Sequence, residues 1–137
     1  MTHLTGNMLA LLAAGCIVES KQGHIKFLLL YLFSGLAGNI LSVMTNFVYG
    51  ENAVSAGASG AIYGLFGALL SYALFEREEF RELHPLRLII VLLINLVMSY
   101  AGTRSIDIAA HAGGLIFGFV VTTIAVLCSK GKSQTEK

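Results

Sequence analysis

Two short stretches each place one reactive side chain among small residues at the head of an apolar run. Ser59 lies within GASGAIYG at residues 57–64, and His111 lies within AHAGG at residues 110–114. A serine hydroxyl becomes a nucleophile when a neighbouring base removes its proton, and histidine is the side chain most often used as that base. The packing of apolar helices requires neither residue, so we interpret Ser59 and His111 as a catalytic pair.

Each residue also has an explanation that involves no chemistry. Ser59 alone is compatible with a small polar residue that hydrogen-bonds to its own helix. His111 alone is compatible with a buried histidine satisfied by one partner, although an ionisable residue within an apolar helix is by default a functional hypothesis. The two residues together favour catalysis, because both stand near the start of a membrane-length segment.

Three further side chains extend this candidate site. Tyr63 lies four residues after Ser59 and therefore on the same helix face, where its ring can orient the imidazole of His111. His3 and Asn7 are also four residues apart, near the start of the first apolar run. With the backbone N–H of the serine, they can donate to the oxyanion of an acyl-transfer intermediate. The alternative for His3 and Asn7 is that they are solvent-facing polar residues at a helix start.

Asp107 lies four residues before His111 and permits two interpretations. It can be the acid that orients the histidine, as aspartate does in soluble serine proteases. It can instead cap the N-terminus of the last helix, where the helix dipole favours a negative charge. We favour the cap, and hence a Ser-His dyad without an acid.

Composition sets the class of protein. The chain has 137 residues, of which 55% are hydrophobic and 12% charged, with a mean hydropathy of +0.75. Between residues 27 and 75 the only acidic or basic side chain is Glu51. Such a chain is predicted to be an all-α, polytopic membrane helical bundle. A net charge of +1 without a basic run argues against a nucleic-acid partner, and neither Cys16 nor Cys128 suggests a disulfide, a metal site or a cofactor.

A membrane-spanning helix needs about 20 apolar residues, and five segments approach that length. The predicted spans are residues 4–18, 25–44, 58–75, 86–100 and 106–128. A polar loop is predicted over residues 19–26, and a polar, frayed tail over residues 129–137. Pro85, the only proline, suits the first turn of the fourth helix.

Lysine and arginine are enriched in cytoplasmic loops, so their distribution predicts the orientation of the spans. One side carries eight of the nine: Lys21, Lys26, Arg77, Arg81, Arg87, Lys130, Lys132 and Lys137. The other side carries Arg104 alone. We therefore expect a cytoplasmic C-terminus, an external N-terminus, and a site near the outer ends of the helices.

Two rows of small residues predict that the third and fifth spans pack closely. Gly60 and Gly64 form one row, and Ala110, Gly114 and Gly118 form the other, each with a period of four. In lipid, small residues allow helix backbones to approach and gain dispersion contacts. Packing alone would account for these residues, and close approach is also what a bond between the serine and the histidine requires.

With these motifs in place, the chain resembles the rhomboid intramembrane serine proteases. HLTGN at residues 3–7 matches the family's H-x-x-x-N on its second core helix, and GASG at residues 57–60 matches G-x-S-G on its fourth. AHAGG at residues 110–114 matches the histidine motif on the sixth. Tyr63 matches the tyrosine that stacks on the catalytic histidine, and Asp107 lies where many members have an acid.

The resemblance implies a membrane domain over residues 1–128 that lacks the first core helix, followed by a polar cytoplasmic tail at residues 129–137. The outer loop that carries a Trp-Arg pair is also missing, and the chain has no tryptophan. Such a chain is either a fragment or a shortened member. The resemblance further implies a water-filled cavity open to the outside that holds the dyad.

By the same resemblance, the expected activity is hydrolysis of transmembrane protein substrates in the lipid bilayer, without cofactor or metal. Ser59 is the nucleophile, His111 the general base and then acid, and His3 and Asn7 the oxyanion donors. The competing hypothesis is a catalytically impaired rhomboid-like protein that binds transmembrane clients. The short loops favour a bacterial plasma membrane, and no particular oligomeric state is implied.

Overall fold

The computed structural model describes residues 2–49, 58–102 and 107–135, with side chains described for residues 4–48, 58–94 and 107–132. Within those ranges the chain forms five α-helices and no strand. These are α1 (Thr2–Gln22), α2 (His24–Tyr49), α3 (Ser59–Phe75), α4 (Pro85–Gly102) and α5 (Ile108–Thr135). The predicted all-α fold is confirmed, and α4 begins at Pro85.

Two predicted boundaries were wrong. The loop expected over residues 19–26 is absent, because α1 and α2 are separated only by Gly23. Gly23 has a φ of 85°, a left-handed conformation that glycine adopts without strain, and its N–H bonds to the Glu19 carbonyl at 2.8 Å. Residues 129–135 are helical rather than frayed, and Lys132 in the last turn complements the negative end of the α5 dipole.

α2 exposes most of its large apolar side chains and buries several small residues. Along α2, an outward stripe with a period of four consists of Leu28, Leu32, Leu36 and Ile40, each about half exposed. The inward stripe of the same helix includes Ser34, Gly38 and Ser42, all buried. Such a surface is unfavourable in water and suits hydrocarbon, where small residues mediate helix contacts.

Among the residues whose side chains are described, two helical segments qualify as membrane spans by length and apolar composition. They are His24–Val48 in α2 and Ile108–Lys132 in α5. The apolar helix α3 is shorter, and at 17 residues it is about 25 Å long. That length approaches the roughly 30 Å of a hydrocarbon core.

α3 is the central helix and contacts each of the other four. Gly60 of α3 contacts Gly114 of α5, and Gly64, one turn further along α3, contacts Gly118, one turn further along α5. These two helices therefore run parallel. α2 runs antiparallel to both, because its Gly35 approaches Ala61 while its earlier residue Ser34 approaches Gly64. The N-termini of α3 and α5 therefore lie at the same end of the bundle.

At the opposite end, α1 is joined to the segment that follows α3. Lys21 Nζ lies 3.2 Å from Glu76 Oε2, bonds to Glu79, and sits 5.5 Å from the centre of the Phe80 ring. Burial lowers the pKa of Lys21, but the hydrogen bonds and charges of Glu79 and Glu76 outweigh it, so the pKa is raised above its ordinary value. This cluster fixes α1 parallel to α3.

Candidate active site

Ser59 and His111 meet at the shared end of α3 and α5. Ser59 is the first residue of α3, and His111 lies in the first turn of α5. The Ser59 Oγ and His111 Nε2 atoms are 2.9 Å apart, which is hydrogen-bonding distance. His111 is only 6% exposed, whereas Ser59 is partly exposed. The hydroxyl and the imidazole thus have the geometry of a nucleophile and its base.

Tyr63 covers the imidazole on the α3 side. The rings of Tyr63 and His111 are stacked, with centroids 4.2 Å apart and planes inclined by 6°. The Tyr63 hydroxyl is buried and has no hydrogen-bond partner among the described residues. The tyrosine therefore contacts the histidine through the face of its ring.

Small residues allow the helices to approach closely enough for the Ser59–His111 bond. A Cβ atom placed on Gly114 would lie 1.9 Å from the Gly60 carbonyl oxygen, and one on Gly118 would lie 2.0 Å from that of Gly64. The Ala110 carbonyl oxygen lies 3.2 Å from the corresponding position on Gly60. The two rows of small residues face each other beside the site, and larger side chains would force α3 and α5 apart.

Asp107 stands at the N-cap of α5 and uses both carboxylate oxygens. Oδ1 accepts the Ala110 N–H at 2.8 Å, and the Asp107 backbone carbonyl accepts the His111 N–H at 3.2 Å. Oδ2 accepts the hydroxyl of Ser42 on α2. The first of these contacts is the capping bond, which agrees with the interpretation of Asp107 as a cap.

The predicted oxyanion donors lie on α1. Asn7 is partly buried, whereas the side chain of His3, in the first turn of α1, falls outside the described residues. α1 and α3 run parallel and touch at Gln22 and Tyr72, whose side chains are 3.4 Å apart. Counting back at 1.5 Å per residue puts Asn7 about 22 Å and Ser59 about 20 Å from that contact. Asn7 therefore lies at nearly the same level of the bundle as the serine.

The start of α3 itself provides further donors. The first N–H groups of a helix have no acceptor within that helix, and the aligned peptide dipoles make this end positive. Ala58 occupies the N-cap position and has no side chain with which to cap them. Ser59 thus stands at the positive end of α3, which is suited to an anion. In the described part of the chain, no three His, Cys, Asp or Glu side chains are grouped to hold a metal ion.

Sequence reasoning missed Ser42. It lies 65 positions from Asp107 and belongs to no motif, and only the packing of α2 against α5 brings the two together. A weak signal was present, because Ser34, Gly38 and Ser42 form a small-residue row with the same period of four as the rows on α3 and α5.

The comparisons with known proteins identify the family. The family model described as Rhomboid domain matches residues 1–128. The chain is 44% identical over 119 residues to Rhomboid protease GluP of Bacillus subtilis, a match that covers 87% of this chain and 22% of that protein. It is 34% identical over 125 residues to RHOMBOID-like protein 5 of Arabidopsis thaliana, covering 91% of this chain and 40% of that protein.

A third relative, RHOMBOID-like protein 1 of Arabidopsis thaliana, is 33% identical over 119 residues, covering 87% of this chain and 30% of that protein. The chain thus spans less than half the length of these three relatives. No solved structure matches it. Because the family model covers nearly the whole sequence and the helices are apolar on their outer faces, the chain belongs to the rhomboid family of integral membrane proteins.

Proposed function

We propose that this chain forms the catalytic part of a serine endopeptidase that cleaves transmembrane segments of other proteins within the bilayer. The observation that carries the proposal is the 2.9 Å contact between Ser59 Oγ and His111 Nε2, under the stacked ring of Tyr63. A relative that is 44% identical is named a rhomboid protease, which supports the same reaction class.

In the first half of the reaction, His111 Nε2 takes the proton of Ser59 while Oγ attacks the carbonyl carbon of the scissile peptide bond. The C–N bond then breaks, and the imidazolium gives its proton to the leaving amine. An acyl ester remains on Ser59. For this step Nε2 must begin unprotonated, so the neutral ring carries its hydrogen on Nδ1.

In the second half, His111 removes a proton from water, and the hydroxide attacks the ester carbon. The carboxylic acid leaves, and the proton returns to the oxygen of Ser59. The negative oxygen formed in each half needs donors, which we assign to the backbone N–H groups at the start of α3, the Asn7 amide and His3. Loss of one such donor costs about 10²–10³ in rate.

The substrate class follows from the location of the site. A peptide bond within a transmembrane helix is shielded by the side chains and hydrogen bonds of that helix, so it must unwind locally before Ser59 can reach it. Helix-destabilising residues such as glycine make such unwinding easier, and small residues leave the carbonyl carbon more open to attack. We therefore propose substrates with these residues near the cleaved bond. The bias of lysine and arginine supports a cytoplasmic C-terminus and a site near the outer surface of a bacterial plasma membrane.

The first test is labelling with a fluorophosphonate probe, which forms a covalent bond only with an activated serine. The 137-residue chain, and any longer form that its gene encodes, is compared with Ser59→Ala and His111→Ala. We expect labelling of the parent protein and of the control Ser71→Ala, whose altered hydroxyl bonds to Thr123 about 18 Å along α3 from Ser59. Neither site variant should be labelled.

A second assay measures cleavage of a transmembrane reporter with small residues at the scissile bond. Folded parent protein that is neither labelled nor able to cleave would contradict the proposal. It would favour the alternative of a rhomboid-like protein that binds transmembrane clients, which is compatible with the names of the two plant relatives, RHOMBOID-like protein 5 and RHOMBOID-like protein 1.

A further inference from the structure

Ser42 is a buried hydroxyl far from the dyad in sequence but linked to it through Asp107. It lies on α2, is only 1% exposed, and donates its hydroxyl to Asp107 Oδ2 across the α2–α5 interface. A buried hydroxyl without a partner is unfavourable. The bond satisfies the hydroxyl of Ser42, so α2 cannot move away from Asp107 without leaving that hydroxyl buried and unsatisfied.

Asp107 transmits that link to the catalytic histidine. Its other carboxylate oxygen, Oδ1, accepts a hydrogen bond from the Ala110 N–H, and its backbone carbonyl accepts one from the N–H of His111 itself. The carboxylate is therefore shared between two helices, with one oxygen on the first turn of α5 and the other on α2. Fixing Asp107 against Ser42 fixes the backbone from which the imidazole projects.

Close backbone contact supports the same arrangement one turn away. A Cβ atom on Gly38, four residues before Ser42, would lie 2.5 Å from the Ala110 carbonyl oxygen. α2 thus touches the first turn of α5 at both Gly38 and Ser42. Gly38 permits the close approach of the two helices. The hydrogen bond of Ser42 to Asp107 is directional, so it determines the position along α2 at which the first turn of α5 packs.

We propose that Ser42 is a positioning residue which, through Asp107, holds His111 Nε2 opposite Ser59 Oγ. This inference rests on the proposed function for its catalytic meaning. α3 holds the dyad from one side through the serine and the stacked tyrosine, and α2 holds it from the other through Ser42. A displacement of about 1 Å in such a site can cost 10²-fold in rate, so loss of one of these supports should slow catalysis.

The test compares Ser42→Ala with two changes at Asp107, using the purified full chain. Asp107→Ser keeps an oxygen that can cap the Ala110 N–H but lacks the second oxygen that accepts the Ser42 hydroxyl on α2. Asp107→Asn keeps one polar group for each partner, because its amide oxygen can accept the Ala110 N–H and its amide nitrogen can donate to the Ser42 oxygen. We expect Ser42→Ala and Asp107→Ser each to lower kcat on a transmembrane reporter about tenfold, with KM within twofold. The double variant should be no slower than the worse single variant, because both remove one link. Asp107→Asn should recover most of kcat.

Ser71→Ala is the matched control, since it also removes a fully buried hydroxyl that bonds to a second helix. It should lower thermal stability to a similar extent as Ser42→Ala while leaving kcat unchanged. A tenfold fall in kcat for both variants would show that Ser42 acts only on general stability. Additive losses in the double variant, or an unchanged kcat for Ser42→Ala, would also overturn the inference.

Hydrogen exchange provides a readout that does not depend on activity. In Ser42→Ala the amides of Ala110 and His111 should exchange about tenfold faster, and in Ser71→Ala they should not. Unchanged exchange in Ser42→Ala refutes the inference whatever the activity. If the parent protein is not labelled by the fluorophosphonate, the proposed function fails separately, and faster exchange would then leave Ser42 a structural link without a catalytic role.

Discussion

Replacing Gly114 by alanine should disrupt the dyad through backbone geometry alone. The added Cβ would lie 1.9 Å from the Gly60 carbonyl oxygen and 2.8 Å from its carbonyl carbon. Ordinary van der Waals contact begins near 3.4 Å, so the two helices must separate by about 1.5 Å. Both groups belong to helix backbones, which cannot rotate out of the way as a flexible side chain can.

The clash is next to the chemistry, which sets its effect on activity. Gly114 follows His111 by three residues, and Gly60 follows Ser59 by one. A separation of about 1.5 Å would stretch the 2.9 Å contact between Oγ and Nε2 to as much as about 4.4 Å, beyond hydrogen-bonding distance. We expect the labelling rate to fall at least about 10²-fold. Overpacking should also destabilise the fold by about 1–3 kcal/mol, partly offset by the higher helix propensity of alanine.

The assay is the fluorophosphonate labelling rate per folded molecule, with thermal unfolding measured in parallel. Gly131→Ala is the control on the same helix, because a Cβ there meets nothing within 4 Å. Gly60→Ala gives an intermediate case, since its nearest contact would be the Ala110 carbonyl oxygen at 3.2 Å. A Gly114→Ala protein that is folded and labelled at the parent rate would refute the geometric reasoning.

Three further predictions test other parts of the structure. Tyr63→Phe should keep the labelling rate within twofold, because the buried hydroxyl has no hydrogen-bond partner among the described residues. Tyr63→Leu should lower the labelling rate by up to about tenfold, because stacking on His111 is lost. Equal effects of the two changes would contradict a role for the ring. Lys21→Met should lower the free energy of unfolding by up to about 1 kcal/mol, measured as a lower Tm. The labelling rate should not change, because the partners of Lys21, Glu76 and Glu79, lie at the end of α3 opposite Ser59. A slower labelling rate would show that the two ends of the bundle are coupled. Green fluorescent protein fused to the C-terminus should fluoresce, as expected for a cytoplasmic tail, and a dark fusion with an active periplasmic phosphatase fusion would reverse the assigned orientation.

Much of the fold was predictable from patterns within single helices. Apolar length indicated five helices, and Pro85 marked the start of α4. The ends of α1 and α5 are harder to predict, because the polar residues there are also typical of a loop or a tail. A helix continues through polar residues wherever its backbone bonds persist, and only the left-handed Gly23 ends α1.

The candidate site also contains some contacts that the sequence predicts and others that it does not. The spacing of Ser59, Tyr63 and His111 was sufficient to group them, because each interaction follows from a helix period or from two rows of small residues. The link from Ser42 to Asp107 depends on how α2 is seated against α5, and no periodicity in either helix specifies that register. Contacts across helices that share no motif need the assembled bundle.

α3 and α5 carry different residues at their positive N-termini, and this difference suits the proposed chemistry. α5 begins at Asp107, whose carboxylate caps the helix and offsets its dipole. Ala58, at the N-cap position of α3, makes no side-chain capping bond and brings no negative charge to that end, so the α3 dipole is not offset by its N-cap residue. The hydrogen bonds of Asp107 hold the first turn of α5, and the positive end of α3, without a carboxylate at its N-cap position, favours the proposed oxyanion. Ala58→Asp should therefore stabilise α3 and yet slow acylation, since a fixed carboxylate would compete for the same donors.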